Sequence, residues 1–242
     1  MYLQFLGRGS GFADEHTSAY FVAGKRDLFL LDCPSSTFTK VKNFDLSAYD
    51  NFYVLITHTH GDHVGGLGLW AQYCFFVLNK KLNILAPSEE VRKDLETILT
   101  IEGNDTNWYN LVVIDKDVIY NDHLYIEPIL TKHSPQLDGK CFGYYIESII
   151  LGTDLYEDHF FIYTGDTSTL EPFEPNLKYC SEIYVDVSVF YGQIHLKLED
   201  ALPQLIELTK QDIKVYLMHL DDAQAAEKII ADIPGIEIVT LS

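Results

Sequence analysis

The chain has 242 residues, 47% of them hydrophobic, with 36 acidic against 17 basic side chains and a formal net charge of −19. That length suits one large α/β unit. The charge would repel a long polyanion unless the few bases shared one face, and in sequence they cluster no further than the pairs Lys25-Arg26, Lys80-Lys81 and Arg92-Lys93. No apolar run reaches the roughly eighteen residues of a membrane span, and residues 1–8 show no basic segment ahead of an apolar core, so a cytoplasmic chain without a secretory leader is expected. Cys33, Cys74, Cys141 and Cys180 are widely separated and read as small buried apolar residues in a reducing compartment.

Short strands are predicted at residues 2–6, 18–23, 28–32 and 52–56, with Gly24-Lys25-Arg26-Asp27 as a turn. The fourth strand runs through Tyr53-Val54-Leu55-Ile56 towards His58-Thr59-His60-Gly61-Asp62-His63. Four metal-binding side chains thus fall within one hexapeptide at the mouth of a strand. Imidazole and carboxylate suit zinc and its first-row neighbours. Alternate residues share a face and Gly61 allows a tight turn, so His58 and His60 point to one side while Asp62 and His63 face a second point. That arrangement suits two ions better than one. A polar surface loop has no need to concentrate titratable groups in this way.

Beyond the hexapeptide, Leu67, Trp70, Ala71, Cys74 and Val77 recur at helical spacing and predict an amphipathic helix. Pro87-Ser88-Glu89-Glu90 opens another, with Ser88 as N-cap, Val91, Leu95, Ile98 and Leu99 as its buried stripe and Gly103 as its stop. Further strands are expected near 111–114, 123–131, 142–150, 159–164, 183–187 and 214–218, with a helix near 199–210. A last helix runs from Asp221-Asp222 to Pro234-Gly235, and a final strand covers 236–241. Strand-rich halves with few, late helices suggest two sheets face to face with helices outside. Periodicity alone does not separate that arrangement from other α/β layers.

The hexapeptide matches in full the His-x-His-x-Asp-His signature of the metallo-β-lactamase-fold hydrolases, which the chain resembles over nearly its whole length. The resemblance implies a four-layer αββα sandwich, here one domain over 1–242, and three further ligands, each after its own strand. His133 follows Leu124-Tyr125-Ile126-Glu127-Pro128-Ile129-Leu130, Asp166 stands in Tyr163-Thr164-Gly165-Asp166-Thr167, and His219 ends Val215-Tyr216-Leu217-Met218. By resemblance, His58, His60 and His133 hold a first divalent metal ion, Asp62, His63 and His219 hold a second, and Asp166 bridges them. Zinc is the expected ion, with manganese as a further candidate. Two such ions about 3.5 Å apart lower the pKa of a shared water. Taken singly, His133 or His219 would serve as well as structural histidines; the hexapeptide tips both towards ligation. Asp32, after Leu28-Phe29-Leu30-Leu31, matches a position where the family keeps an acid, and either orients a ligand histidine or caps a strand end. Cys33 and Cys141 fall near the ligands in sequence order and read as packing residues.

The fold hosts many reactions. Its ribonuclease Z-like branch acts on phosphodiesters and adds a histidine shortly before a late helix, paired with an acid on the preceding strand. Asp186, ending Ser181-Glu182-Ile183-Tyr184-Val185-Asp186, and His195 correspond, although the branch usually has glutamate at the first place and His-Ser-Thr at the second, where this chain has His195-Leu196-Lys197. Phe5-Leu6-Gly7-Arg8-Gly9-Ser10-Gly11 and Thr17-Ser18-Ala19-Tyr20 also resemble that branch. An imidazole held by a carboxylate gives a proton to a leaving oxygen, so Asp62, His195 and Asp186 are the expected catalytic residues; the plainer reading of His195 is a surface histidine at a helix start. His16 sits in a glycine-rich loop expected to border the site, whereas His123 and His159, each beside an acid, are expected to face solvent.

Transfer-RNA-processing members of the branch carry a long arm between the third histidine and the bridging aspartate, and the short interval from His133 to Asp166 is filled by strands. Compact relatives without the arm include cyclic nucleotide phosphodiesterases, among them the phage anti-Pycsar enzymes. The resemblance therefore implies hydrolysis of a 3′,5′-cyclic mononucleotide by a homodimer in the cytoplasm, the host's if the chain is phage-encoded. Nucleic acid polymers and membranes are not expected partners. Some of the sixteen tyrosines and fourteen phenylalanines could supply a base-stacking wall. Three alternatives stay open: a compact ribonuclease acting on RNA ends, a lactonase or thioesterase that would not need His195, and a non-catalytic nucleotide sensor.

Overall fold

The computed structural model describes residues 2–24, 26–114, 119–120, 124–150, 157–190 and 192–242. In the first sheet, β1 (Gln4–Gly7), β2 (Ser18–Ala23), β3 (Asp27–Leu31), β4 (Asn51–Leu55), β5 (Leu82–Ala86) and β6 (Tyr109–Val113) lie in chain order. β1 to β3 pair antiparallel and β3 to β6 parallel. Parallel neighbours need long crossovers, and here these are α1 (Ser35–Val41), then α2 (Gly61–Val64) with α3 (Leu67–Phe76), then α4 (Glu89–Ile101).

The second sheet contains β7 (Ile119–Tyr120), β8 (Leu124–Leu130), β9 (Phe142–Ile150), β10 (Glu157–Tyr163), β11 (Glu182–Ser188), β12 (Leu196–Lys197), β13 (Lys214–Met218) and β14 (Ile236–Ile238). Its order is β14-β13-β11-β10-β9-β8-β7, with β12 on the side of β11. β7 to β10 form antiparallel pairs, and β10, β11, β13 and β14 run parallel. The single turn α5 (Glu174–Leu177) precedes β11, while α6 (Leu198–Thr209) and α7 (Ala223–Ile230) cross between the later strands.

Period-two alternation along the strands builds three apolar layers. Leu28, Leu30, Phe52, Val54 and Ile84 pack against Trp70, Leu95 and Leu99 of the helices. Their neighbours Phe29, Leu31, Leu55 and Leu85 face the other way and meet Phe161, Tyr163, Tyr184 and Met218 of the second sheet. Behind that sheet, Ile183, Val185, Val215 and Leu217 pack against Leu198, Leu205 and Ala226. Helices, sheet, sheet and helices therefore stack as the expected αββα sandwich. The Tyr144 hydroxyl on β9 donates to the Ile56 carbonyl, tying the two sheets together two residues before His58.

The elements depart from expectation in few places. Helix α1 is too short to show a repeat and was not foreseen. Helix α3 buries Leu67, Trp70, Ala71 and Cys74 but stops at Phe76, so Val77 is 60% exposed instead of packed. Ser88 caps α4 as predicted, its Oγ accepting from the Val91 N–H at 3.2 Å. The last helix ends at Ile230 and the last strand at Ile238, both earlier than the composition suggested. His159, expected in solvent, is half-buried and stacks on Tyr2 with ring centroids 4.1 Å apart. His123 lies outside the described residues.

Candidate metal centre

Strand ends supply the side chains of the site: Asp32 follows β3, His58 to His63 follow β4, His133 follows β8, Asp166 follows β10, Asp186 lies near the end of β11 and His219 follows β13. Such ends place chemistry on loops over a rigid scaffold. The turn α2 begins at Gly61, and the His63 N–H donates to the His60 carbonyl at 3.0 Å, which sets Asp62 and His63 on the next turn from His60.

The side chains gather into two adjoining clusters. In the first, His60 Nδ1 lies 3.0 Å from His58 Nε2 and 3.3 Å from His133 Nε2. In the second, Asp62 Oδ2 lies 3.4 Å from both His63 Nε2 and His219 Nε2. Asp166 divides its carboxylate between them. Its Oδ2 is 3.7 Å from His58 Nε2 and 3.5 Å from His133 Nε2, while its Oδ1 is 3.4 Å from His63 Nε2 and 3.5 Å from His219 Nε2. The ligand atoms of His58, His60, His133 and Asp166 lie inside 4.8 Å of one another, as do those of Asp62, His63 and His219 and those of Asp166, Asp186, His195 and His219.

Outer partners fix which ring nitrogen faces inward. The Thr57 hydroxyl donates its one proton to Asp32 Oδ2 at 2.9 Å, so at its 3.0 Å contact with His58 Nδ1 it accepts. His133 Nδ1 donates to the Ile194 carbonyl at 2.8 Å. His63 Nδ1 lies 2.8 Å from Asp32 Oδ2, and His219 Nδ1 lies 3.2 Å from Asp186 Oδ1. A neutral imidazole that donates from Nδ1 keeps its lone pair at Nε2. Lone pairs of His58 and His133 thus converge near His60 Nδ1, which as a donor satisfies only one of them at a time; a cation satisfies all three. His63 Nε2 is buried without a hydrogen-bond partner. This convergence of imidazole and carboxylate suits zinc or manganese, so the residues fit a divalent metal pair.

Of the two readings of Asp32, the hydrogen bond to a cluster histidine is the one observed. The carboxylate is fully buried, and its Oδ1 accepts the Thr57 N–H at 2.8 Å. Removing such an outer partner costs about 10- to 100-fold in metal affinity. Asp32→Ala is expected to show that loss in competition with a chelator; unchanged affinity would leave Asp32 with a purely structural role.

Charge is distributed unevenly between the clusters. Burial and the neighbouring His63 hold His58 well below the usual imidazole range, and burial with His133 lowers His60. In the second cluster burial acts downward but is overcome: Asp166 and Asp32 hold His63 well above the usual range, and Asp166, Asp186 and Asp62 push His219 up to about 10. Burial likewise opposes ionisation of Asp62 and Asp166, yet His219 and His63 keep both well below the carboxylate range. Metal entering the second cluster must therefore displace protons. Calorimetric zinc titrations near pH 7 are expected to vary with buffer ionisation enthalpy, with affinity rising as pH rises. A heat independent of buffer would mean that both rings are neutral before metal arrives.

His195 stands beside both clusters, its ring centroid 5.0 Å from those of His133 and His219. Asp186 Oδ2 holds its Nδ1 at 2.8 Å and accepts the Thr167 N–H at 2.9 Å. Burial would lower the His195 pKa, but Asp186 raises it.

Residues 1–233 match the family model of the anti-Pycsar protein Apyc1. The chain belongs to that family. Over 92% of its length it is 27% identical to the anti-Pycsar protein Apyc1 of Bacillus phage 010DV004, covering 90% of that protein. Over 42% of its length it is 36% identical to ribonuclease Z of Methanococcus maripaludis, covering 33% of that protein. The metallo-β-lactamase fold protein YhfI from Bacillus subtilis superposes with a TM-score of 0.72 at 17% identity, covering 99% of this chain and 96% of that one. The fold is therefore the metallo-β-lactamase fold, as the hexapeptide implied.

In this Apyc1-family chain the clusters open into a cavity of about 360 Å³ walled in part by Ser10, Gly11, Phe12, Ile194 and His195. His16, expected at its border, is not in the wall; its backbone N–H donates to Ser36 Oγ at 3.2 Å. Cys33 and Cys141 are buried packing residues, as read from sequence, and Cys74 and Cys180 are buried and free as well. Thr57 and the Ile194 carbonyl escaped the sequence reading, and Thr167, whose place after Asp166 suggests a hold on that carboxylate, instead gives its N–H to Asp186 and its hydroxyl proton to the Thr169 carbonyl. Only Thr57 carried a signal, as a hydroxyl next to His58.

Proposed function

We propose that the chain is a metal-dependent hydrolase, more narrowly a phosphodiesterase that opens 3′,5′-cyclic mononucleotides with two divalent ions. The observation that carries this reading is the split of the Asp166 carboxylate between two histidine clusters with the Asp186–His195 pair alongside. His58, His60 and His133 would hold one ion and Asp62, His63 and His219 the other, with Asp166 available to both. When bound, the ions supply Lewis acidity and an activated water. The residues do the rest. Asp186 orients His195 and favours its protonated form, and His195 gives that proton to the oxygen leaving phosphorus as water adds, which is general acid catalysis. Asp62 takes part as a ligand within the reacting centre.

The cavity has the volume of a small-ligand site, and a net charge of −19 disfavours a long polyanion. Among the described residues no helix is long and apolar enough to cross a membrane. We place the chain as a single domain acting in a cytoplasmic homodimer on a small substrate. The ribonuclease Z similarity favours action on RNA ends as a second reading.

The test is zinc- or manganese-loaded protein with 3′,5′-cyclic mononucleotides of all four bases, followed by chromatography, beside chelated protein and a small RNA. Metal-dependent ring opening to the monophosphate is expected. Folded, metal-bound protein that opens none of the four would overturn the reading, and RNA cleavage would then support the second.

A further inference from the structure

The loop between β1 and β2 presents an aromatic ring that the fold does not use. Phe12 is 106% exposed, the most exposed large apolar side chain among the described residues. Burying a Phe side chain is worth about 1.5–3 kcal/mol, so in this position the ring adds nothing to folding. The loop beneath it is held firmly. The Gly9 N–H donates to Glu15 O at 3.0 Å, the Thr17 N–H to Gly9 O at 2.9 Å and the Ala13 N–H to Ser10 O at 3.0 Å. Two further bonds lock the loop to the segment just after His219: Ser10 N–H to Leu220 O at 3.0 Å, and Leu220 N–H to Arg8 O at 2.8 Å.

Phe12 is also close to the metal centre. A Cβ on Gly11 would stand 2.9 Å from Asp62 Oδ2, so the residue next to Phe12 lies directly on a cluster carboxylate. Phe12 and Ile194 are the apolar side chains of a cavity wall otherwise made of hydroxyl, imidazole and carboxylate groups and Gly11. A rigidly mounted, exposed ring beside a charged centre suits a ligand with an anionic head and a planar aromatic body. Stacking a base on an aromatic side chain is worth about 1–3 kcal/mol and is tolerant of base identity.

We infer that Phe12 is the platform on which the nucleobase of the substrate stacks, strengthening binding of every base-bearing substrate without selecting among bases. The inference rests on the phosphodiesterase reading. It is tested with metal-loaded wild type, Phe12→Ala, Phe12→Leu and Phe12→Trp on 3′,5′-cyclic CMP, 3′,5′-cyclic GMP and a base-free analogue, 1-O-methylribose 3′,5′-cyclic phosphate. Phe12→Ala is expected to raise KM by about 5- to 150-fold on both nucleotides. Its kcat, and its KM for the base-free analogue, should match wild type. Phe12→Leu, apolar but not planar, should resemble Phe12→Ala, and Phe12→Trp should resemble wild type. An unchanged KM for Phe12→Ala on the nucleotides, or an equal rise on the base-free analogue, overturns the role of Phe12 alone. Wild type that turns over neither nucleotide overturns the phosphodiesterase reading and this inference with it.

Discussion

Asp166→Ala is expected to lose both metal ions and all measurable turnover together. The carboxylate is buried, and each oxygen lies between 3.4 and 3.7 Å from two histidine nitrogens. Without it the two clusters lose the one carboxylate they share, and the second keeps only Asp62 as an anion among its inward-facing atoms. Asp166 lies outside the three apolar layers and at an ordinary backbone angle, so the sandwich should persist. Elemental analysis beside circular dichroism checks this. Two retained equivalents of metal in a folded Asp166→Ala protein would show that the clusters do not share this residue.

His195→Ala is expected to behave in the opposite way, keeping both metals while turnover falls by about 10²- to 10⁴-fold, the usual worth of a positioned general acid. His195 belongs to neither trio of ligands; its nearest approach to Asp166 is 4.0 Å. The loss should shrink on a diester with a nitrophenolate leaving group, which departs without needing a proton. Equal losses on good and poor leaving groups would assign His195 to binding, and loss of metal would make it a ligand. Asp186→Ala should do more damage than His195→Ala, because the same carboxylate also lies 3.2 Å from His219 Nδ1.

The parts of this site that were legible in the sequence are those whose chemistry is local or rare. His58, His60, Asp62 and His63 fall within one hexapeptide, whereas His133, Asp166 and His219 stood out only through the family resemblance, which places a ligand after each of three further strands. The layers were legible chiefly through the resemblance, because β3 and β11 are buried along almost their whole length and their pattern does not tell which face meets which layer. Helix α1 left no trace because seven residues hold too little periodicity. Val77 was misjudged because helical spacing continues past the point where the chain stops being helical; the Lys80 N–H turns back to the Cys74 carbonyl. The Ile194 carbonyl and Thr167 N–H are backbone groups that any residue type could supply. His16 and Phe12 share one loop, and nothing in their order tells which of the two faces the cavity.

Two of the four described non-glycine residues with left-handed backbone angles are Asp32 at φ 61° and His219 at φ 56°. Side chains other than glycine adopt that region at a cost of about 1–2 kcal/mol, and asparagine or glycine would relieve it. At Asp32 that cost is set against the two bonds its buried carboxylate accepts from Thr57 and its contact with His63, so His219 is the position where the left-handed backbone serves the cluster most directly. Glycine at 219 is therefore expected to ease the backbone while removing an imidazole from the second cluster, so that heat resistance of the metal-free protein and affinity for metal move in opposite directions.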